Sequence, residues 1–241
     1  MQPSEHARTM EVCVWHARLD LDEAALDALA ATLSDDERAR AERFVFARDR
    51  SRFIAARGVL RRLLGARLGL APSRLRFAYG AQGKPSLSQE SSEAQVSFSV
   101  AHSRDRALVA VASGAPIGAD IEVLRPLPSA EAIAERVFSP DELAQLRSLP
   151  SQQREVAFYL GWTRKEAYIK ALGTGLAHPL DAFSVSFTPG APAQLLAGHV
   201  TDAGPTWLLR DLSRLPDYAA AIVVGAYSDD ACIDMKEFDA S

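Results

Sequence analysis

The spacing of apolar residues changes several times along the chain. Val12 to Ala17 is a short apolar run that predicts a strand. From Leu21 to Leu33 the apolar positions recur at helical spacing. Ser34-Asp35-Asp36-Glu37 then has the form of a capping box opening a second helix. A long arginine-rich stretch follows, from Arg38 to Leu70, in which Phe44, Phe53, Ile54, Val59, Leu60, Leu63 and Leu64 can supply a buried stripe. Gly69 to Pro72 ends it. Arg74 to Tyr79 predicts a strand and Gly80 to Pro85 a turn. Gln95 to Ala101 and Ala107 to Ala112 predict two strands, with Ser103 to Arg106 as their hairpin.

Ser113 to Pro116 is a short small-residue stretch and the natural place for a lobe boundary. Beyond it the plan repeats loosely. A strand is expected at Ile117 to Val123, helices near Ser129–Val137, Pro140–Ser148 and Gln153–Leu172, and strands at Ala182–Phe187, Trp207–Asp211 and Tyr218–Ala226. Phe-Ser-Val occurs at 98–100 and again at 183–185, a hint of duplication. The pattern predicts two similar α+β lobes, residues 1–114 and 115–241.

Composition narrows the classes. The chain has 241 residues, 48% hydrophobic and 24% charged, which suits a soluble globular protein. A net charge of −4 argues against a polyanion binder by bulk charge. No apolar run has membrane-spanning length, and the N-terminal residues lack a signal-peptide pattern. Cys13 and Cys232 match no metal spacing. A cytoplasmic location is expected. Of 27 basic residues only four are lysine: Lys84, Lys165, Lys170 and Lys236. Lysine is a compact charge that can give up a proton, so its scarcity draws attention to those positions.

Candidate chemistry falls on a few segments. In Gly118-Ala119-Asp120-Ile121-Glu122, strand alternation puts Asp120 and Glu122 on one face. Two neighbouring carboxylates repel unless a cation lies between them, and an oxygen-only donor set suits magnesium. The same pattern also suits an amphipathic strand with a wet polar face. In Trp162 to Lys170, residues Trp162, Glu166 and Lys170 form one helical row. That row can bring a carboxylate and an ammonium to a phosphate, or be an ordinary surface ion pair. His102 follows a strand and can donate to a phosphate, or be a plain turn residue. Gly80 to Pro85 is no P-loop, because Pro85 forbids the helix, yet Lys84 can reach an anion from a rigid turn. Ser139-Pro140-Asp141-Glu142 is a complete capping box, which accounts for Glu142. The arginine-rich helix, including Arg38, Arg40, Arg43 and Arg52, could meet an anion, but interspersed acids dilute its field.

Taken in order, these segments resemble the 4'-phosphopantetheinyl transferase superfamily. The carriers are Gly83-Lys84-Pro85, Phe98 with His102, Gly118-x-Asp120-x-Glu122, then Trp162 to Lys170 followed by Gly173-x-Gly175-Leu176. The likeness is nearer to the monomeric two-lobed type that activates surfactin synthetase, and spans roughly residues 34–190. It implies a pseudo-twofold arrangement of lobes, each a small antiparallel sheet packed with helices. It implies magnesium, or manganese in its place, on Asp120, Glu122 and Glu166. Glu166 and Lys170 match the catalytic positions. Arg52, Lys84, His102 and Lys165 match positions that hold coenzyme A. The implied reaction moves phosphopantetheine from coenzyme A to a serine of an apo acyl or peptidyl carrier protein, with no role for nucleic acid or membrane. The rival readings are a non-catalytic coenzyme A or nucleotide-binding module, and a nucleic-acid binder using the arginine-rich helix. The family usually has Phe-Asn-x-Ser-His where this chain has Phe98-Ser99-Val100-Ala101-His102, so some polar support is expected to be missing.

Overall fold

The computed structural model describes residues 10–80, 83–88, 96–175, 178–198, 205–226 and 231–238. Ala81, Gln82 and Leu176, which belong to two of the segments above, lie outside them. The elements run β1 (Met10–Arg18), α1 (Glu23–Ala30), α2 (Asp35–Glu42), α3 (Ala47–Leu68), β2 (Phe77–Tyr79), β3 (Pro85–Leu87), β4 (Val96–Ser103) and β5 (Arg106–Ser113). Next come β6 (Ile117–Val123), α4 (Ala130–Val137), α5 (Pro140–Ser148), α6 (Ser151–Leu172), β7 (Ser184–Val185), β8 (Leu195–Ala197), β9 (Thr206–Asp211), β10 (Tyr218–Ala226) and β11 (Ala231–Phe238).

The two halves share a plan. Each runs strand, two short helices, one 22-residue helix, a small two-stranded ribbon, then two longer strands. The sheet orders correspond as well: β1-β5-β4 in the first and β6-β10-β9 in the second. The repeated Phe-Ser-Val triplet is not the trace of this duplication. Phe98 lies on β4, whereas Ser184 and Val185 form β7, whose counterpart is β2. The strand β11, absent from the sequence-based expectation, lies parallel to β1 and makes the first sheet mixed rather than purely antiparallel.

Four layers follow from strand alternation. On β5, Ala107, Val109 and Val111 face α3 in one core, while Leu108, Ala110 and Ala112 face the second sheet. On β10, Ala220, Ile222 and Val224 meet that same central core, while Ala219, Ala221 and Val223 face α6. Burial on both faces explains why these strands read as unbroken apolar runs. Helix α3 has no proline within it and ends where Gly69 takes a left-handed φ of 65°. Two of its arginines, Arg57 and Arg61, are buried braces. Arg57 and Arg61 both pair with buried Glu37 of α2, at 2.6 Å each.

Candidate active site

The site forms where α6 crosses β6. Gly118, Asp120 and Glu122 share the face of β6 turned away from the central core. A Cβ at Gly118 would stand 2.0 Å from the Ala167 carbonyl oxygen and 2.3 Å from the Ala171 nitrogen. Only glycine lets the helix lie this close. The close crossing sets Lys170 against Asp120, their charged atoms 2.6 Å apart. Strand alternation and helical spacing place both rows as expected from the sequence.

The three carboxylates sense one another. Burial raises the Asp120 carboxyl above its ordinary pKa, although Lys170 pulls the other way. Burial and then the charges of Asp120 and Glu122, against a counter-pull from Lys170, raise Glu166. Burial, then Asp120, raises Glu122, against a hydrogen bond from Ser103. Among the described residues, no three acidic, histidine or cysteine side chains converge closely enough to hold a metal ion as they stand. The donor set nonetheless fits one. Asp120 Oδ2 is buried with no hydrogen-bond partner, and its neighbours Glu122 and Glu166 are hard oxygen donors whose pKa values are raised by burial and then by neighbouring carboxylates.

A cleft of about 350 Å³ opens beside this crossing, walled by Lys84, Phe98, Ser99, Glu166, Lys170 and Gly173. Lys84 reaches it from the first lobe. Its ammonium donates to the carbonyls of Lys170, at 2.5 Å, and Ile117, at 3.1 Å, so it caps the end of α6. Burial, then Lys170, lowers its pKa. His102 is the penultimate residue of β4 and is exposed to solvent. Desolvation by the surrounding protein, then Lys170, keeps its pKa below the ordinary value. At the position of the family's asparagine, Ser99 Oγ accepts the Ala119 N–H at 3.0 Å.

Two expected ligands go elsewhere. Lys165 is 1% exposed and points into the second lobe, away from the cleft. It pairs with Glu142 at 2.7 Å and donates to the Leu180 and Phe183 carbonyls. Residues 165 and 166 project about 100° apart on a helix, so Lys165 and Glu166 cannot share a face. Glu142 does more than cap α5, because Oε1 also accepts the Val185 N–H at 2.8 Å. Arg52 donates twice to Asp20, at 2.6 and 2.7 Å, and does not wall the cleft. Arg40 of α2 instead lies within electrostatic range of His102 and rests on the Phe53 ring. Its sequence signal was only a place in an arginine-rich run.

The fold brings acidic and basic side chains from both halves of the chain, among them Lys84, Glu166 and Lys170, to one cleft. Residues 20–114 match the pattern described as 4'-phosphopantetheinyl transferase, N-terminal, and residues 116–223 match that of the 4'-phosphopantetheinyl transferase superfamily. The chain is 42% identical over 217 residues to 4'-phosphopantetheinyl transferase HetI of Nostoc sp., covering 90% of this chain and 89% of the relative. A 4'-phosphopantetheinyl transferase of Bacillus subtilis is 30% identical over 211 residues, covering 84% and 92%. The L-aminoadipate-semialdehyde dehydrogenase-phosphopantetheinyl transferase of Homo sapiens is 30% identical over 166 residues, covering 66% and 54%. The chain belongs to the 4'-phosphopantetheinyl transferase superfamily, and it is a transferase.

Proposed function

We propose that the cleft binds coenzyme A and hands its phosphopantetheine arm to the serine of an apo acyl or peptidyl carrier protein. The observation that carries this reading is Asp120, with one carboxylate oxygen on Lys170 and the other buried and unpartnered beside Glu122 and Glu166. Asp120, Glu122 and Glu166 would hold magnesium, with manganese able to replace it. The ion supplies charge neutralisation at the pyrophosphate.

The chain's own residues then have separate tasks. Glu166 accepts the proton of the attacking serine hydroxyl, a task suited to a carboxyl whose pKa is raised by burial and neighbouring acids. The serine oxygen forms a bond to the phosphorus of the pantetheine arm. The bond from that phosphorus to the bridging oxygen breaks, and adenosine 3',5'-bisphosphate leaves with the electron pair. Lys170 and His102 face the charge that develops on the leaving group. Lys84 fixes the end of α6 on which Lys170 stands, and Arg40 offers a further cation beside His102.

Several facts support the partners named here. Arg57, Arg61 and Arg52 are committed to Glu37 and Asp20, which reduces the positive charge that α3 can offer to nucleic acid. No helix among the described residues is long and apolar enough to cross a membrane. The cleft residues Lys84, Ser99, Glu166 and Lys170 all come from one chain, in keeping with a monomer. The test incubates the chain with coenzyme A, magnesium and a panel of apo carriers, and weighs the carrier. A gain of the phosphopantetheine mass is expected. Coenzyme A binding with no gain on any carrier would leave a binding module instead.

A further inference from the structure

β4 and β6 are the facing edge strands of the two sheets. An edge strand leaves backbone N–H groups that need partners when buried. Here serine side chains serve as those partners. Ser99 Oγ accepts the Ala119 N–H at 3.0 Å, and Ser103 Oγ accepts the Val123 N–H at 3.1 Å. The step is four residues on both strands, so each serine meets the same side of β6. The two serines then differ. Ser103 also donates to Glu122 Oε2 at 2.7 Å, and it is only 9% exposed. Ser99 touches no carboxylate.

We infer that Ser103 is a positioning residue that orients the Glu122 carboxylate for metal binding. A hydroxyl has one proton, and accepting the Val123 N–H restricts where that proton can point. It points at Glu122. Among the described residues Ser103 is the one hydrogen-bond partner of this carboxylate. One Glu122 oxygen is therefore held by the first lobe, and the other stays free beside Asp120. The bond crosses from one sheet to the other, so the lobe that carries no carboxylate of the triad still sets the geometry of one of them. Nothing in a strand-end serine that opens a hairpin announces a partner 19 residues away.

The inference rests on the proposal that Asp120, Glu122 and Glu166 hold the metal, and the experiment separates the two. Manganese binding to the full chain in the presence of coenzyme A is measured by loss of the free-ion electron paramagnetic resonance signal. Ser103→Ala is expected to weaken manganese binding roughly tenfold, and Ser103→Thr to restore it. The magnesium concentration for half-maximal transfer should rise with it, while the rate at saturating magnesium falls much less. Ser99→Ala removes a similar N–H acceptor and should weaken manganese binding far less than Ser103→Ala does. If Ser103→Ala fails to fold, Ser103→Cys, of similar shape but a weak donor, is read in the same way. Wild-type affinity in the variant overturns this inference alone, as does an equal loss in Ser99→Ala. No manganese binding by the wild-type chain overturns this inference and the metal assignment together.

Discussion

Lys165 and Lys170 stand five residues apart on α6 and end in different surroundings. Lys170 meets Asp120 at the cleft, 30% exposed, and stays within reach of a ligand. Lys165 is sealed against Glu142. Burial lowers its pKa, although Glu142 opposes the shift. Removing one member of such a pair strands the other charge. Lys165→Met should therefore cost about 3–5 kcal/mol in urea unfolding. Adding Glu142→Gln to it should recover part of the loss. Glu166→Gln should behave in the opposite way, with an unchanged unfolding midpoint and transfer reduced by at least about a hundredfold in a carrier mass assay. A sequence shows that lysines are scarce but not where each one points. That is why the pairing of Lys165 with Glu142 left no trace in the sequence pattern.

Whole elements were easier to read than side-chain partners. Periodicity located α3, α6, β6 and β10, because each buries a face or both faces over many residues. It missed β11, whose Asp234, Lys236 and Glu237 break up the apolar positions and whose pairing partner is over 200 positions away. The close seating of α6 on β6 was equally hidden, since the glycine that permits it reads as an ordinary strand residue. Gly118→Ala should push the helix away from the strand. We expect a loss of about 1–3 kcal/mol in stability and a larger proportional loss in transfer, read by thermal unfolding and carrier mass. The α2–α3 clamp gives a pH signature. Burial raises the Glu37 carboxyl, but Arg57 and Arg61 outweigh it and hold the net pKa below the ordinary 4.5. The unfolded chain thus takes up the proton first. Stability from this clamp is full above the unfolded value and is lost as pH falls through it toward the folded value. Glu37→Gln should flatten that part of a midpoint-against-pH curve and lower its neutral plateau.

The whole molecule depends on the seam between its sheets. Tyr218 donates to Asp105 across it at 2.7 Å, and its own pKa is pushed up to about 12 by burial and then that carboxylate. His16 lies at the same end of β1, both ring nitrogens buried without partners. Burial lowers its pKa below 6.5, and Arg214 and Arg106 add to the effect while Glu237 opposes it. A neutral ring is what the fold accepts. Its contribution is full above the unfolded value of 6.5 and is lost as pH falls below it, through the folded pKa. His16→Phe should flatten the unfolding midpoint across that mildly acidic range. A midpoint that still falls equally would assign the sensitivity elsewhere.

The parallel pairing of β11 with β1 also bears on how the molecule is made. As the chain leaves the ribosome, β1, β5 and β4 emerge long before β11. Until β11 arrives, the outer side of β1 is a bare edge of the kind that recruits strands from other chains. A nascent or truncated chain ending after β10 should therefore associate with copies of itself. Supplying residues 231–238 as a separate peptide should suppress that association if docking onto β1 is what protects the edge.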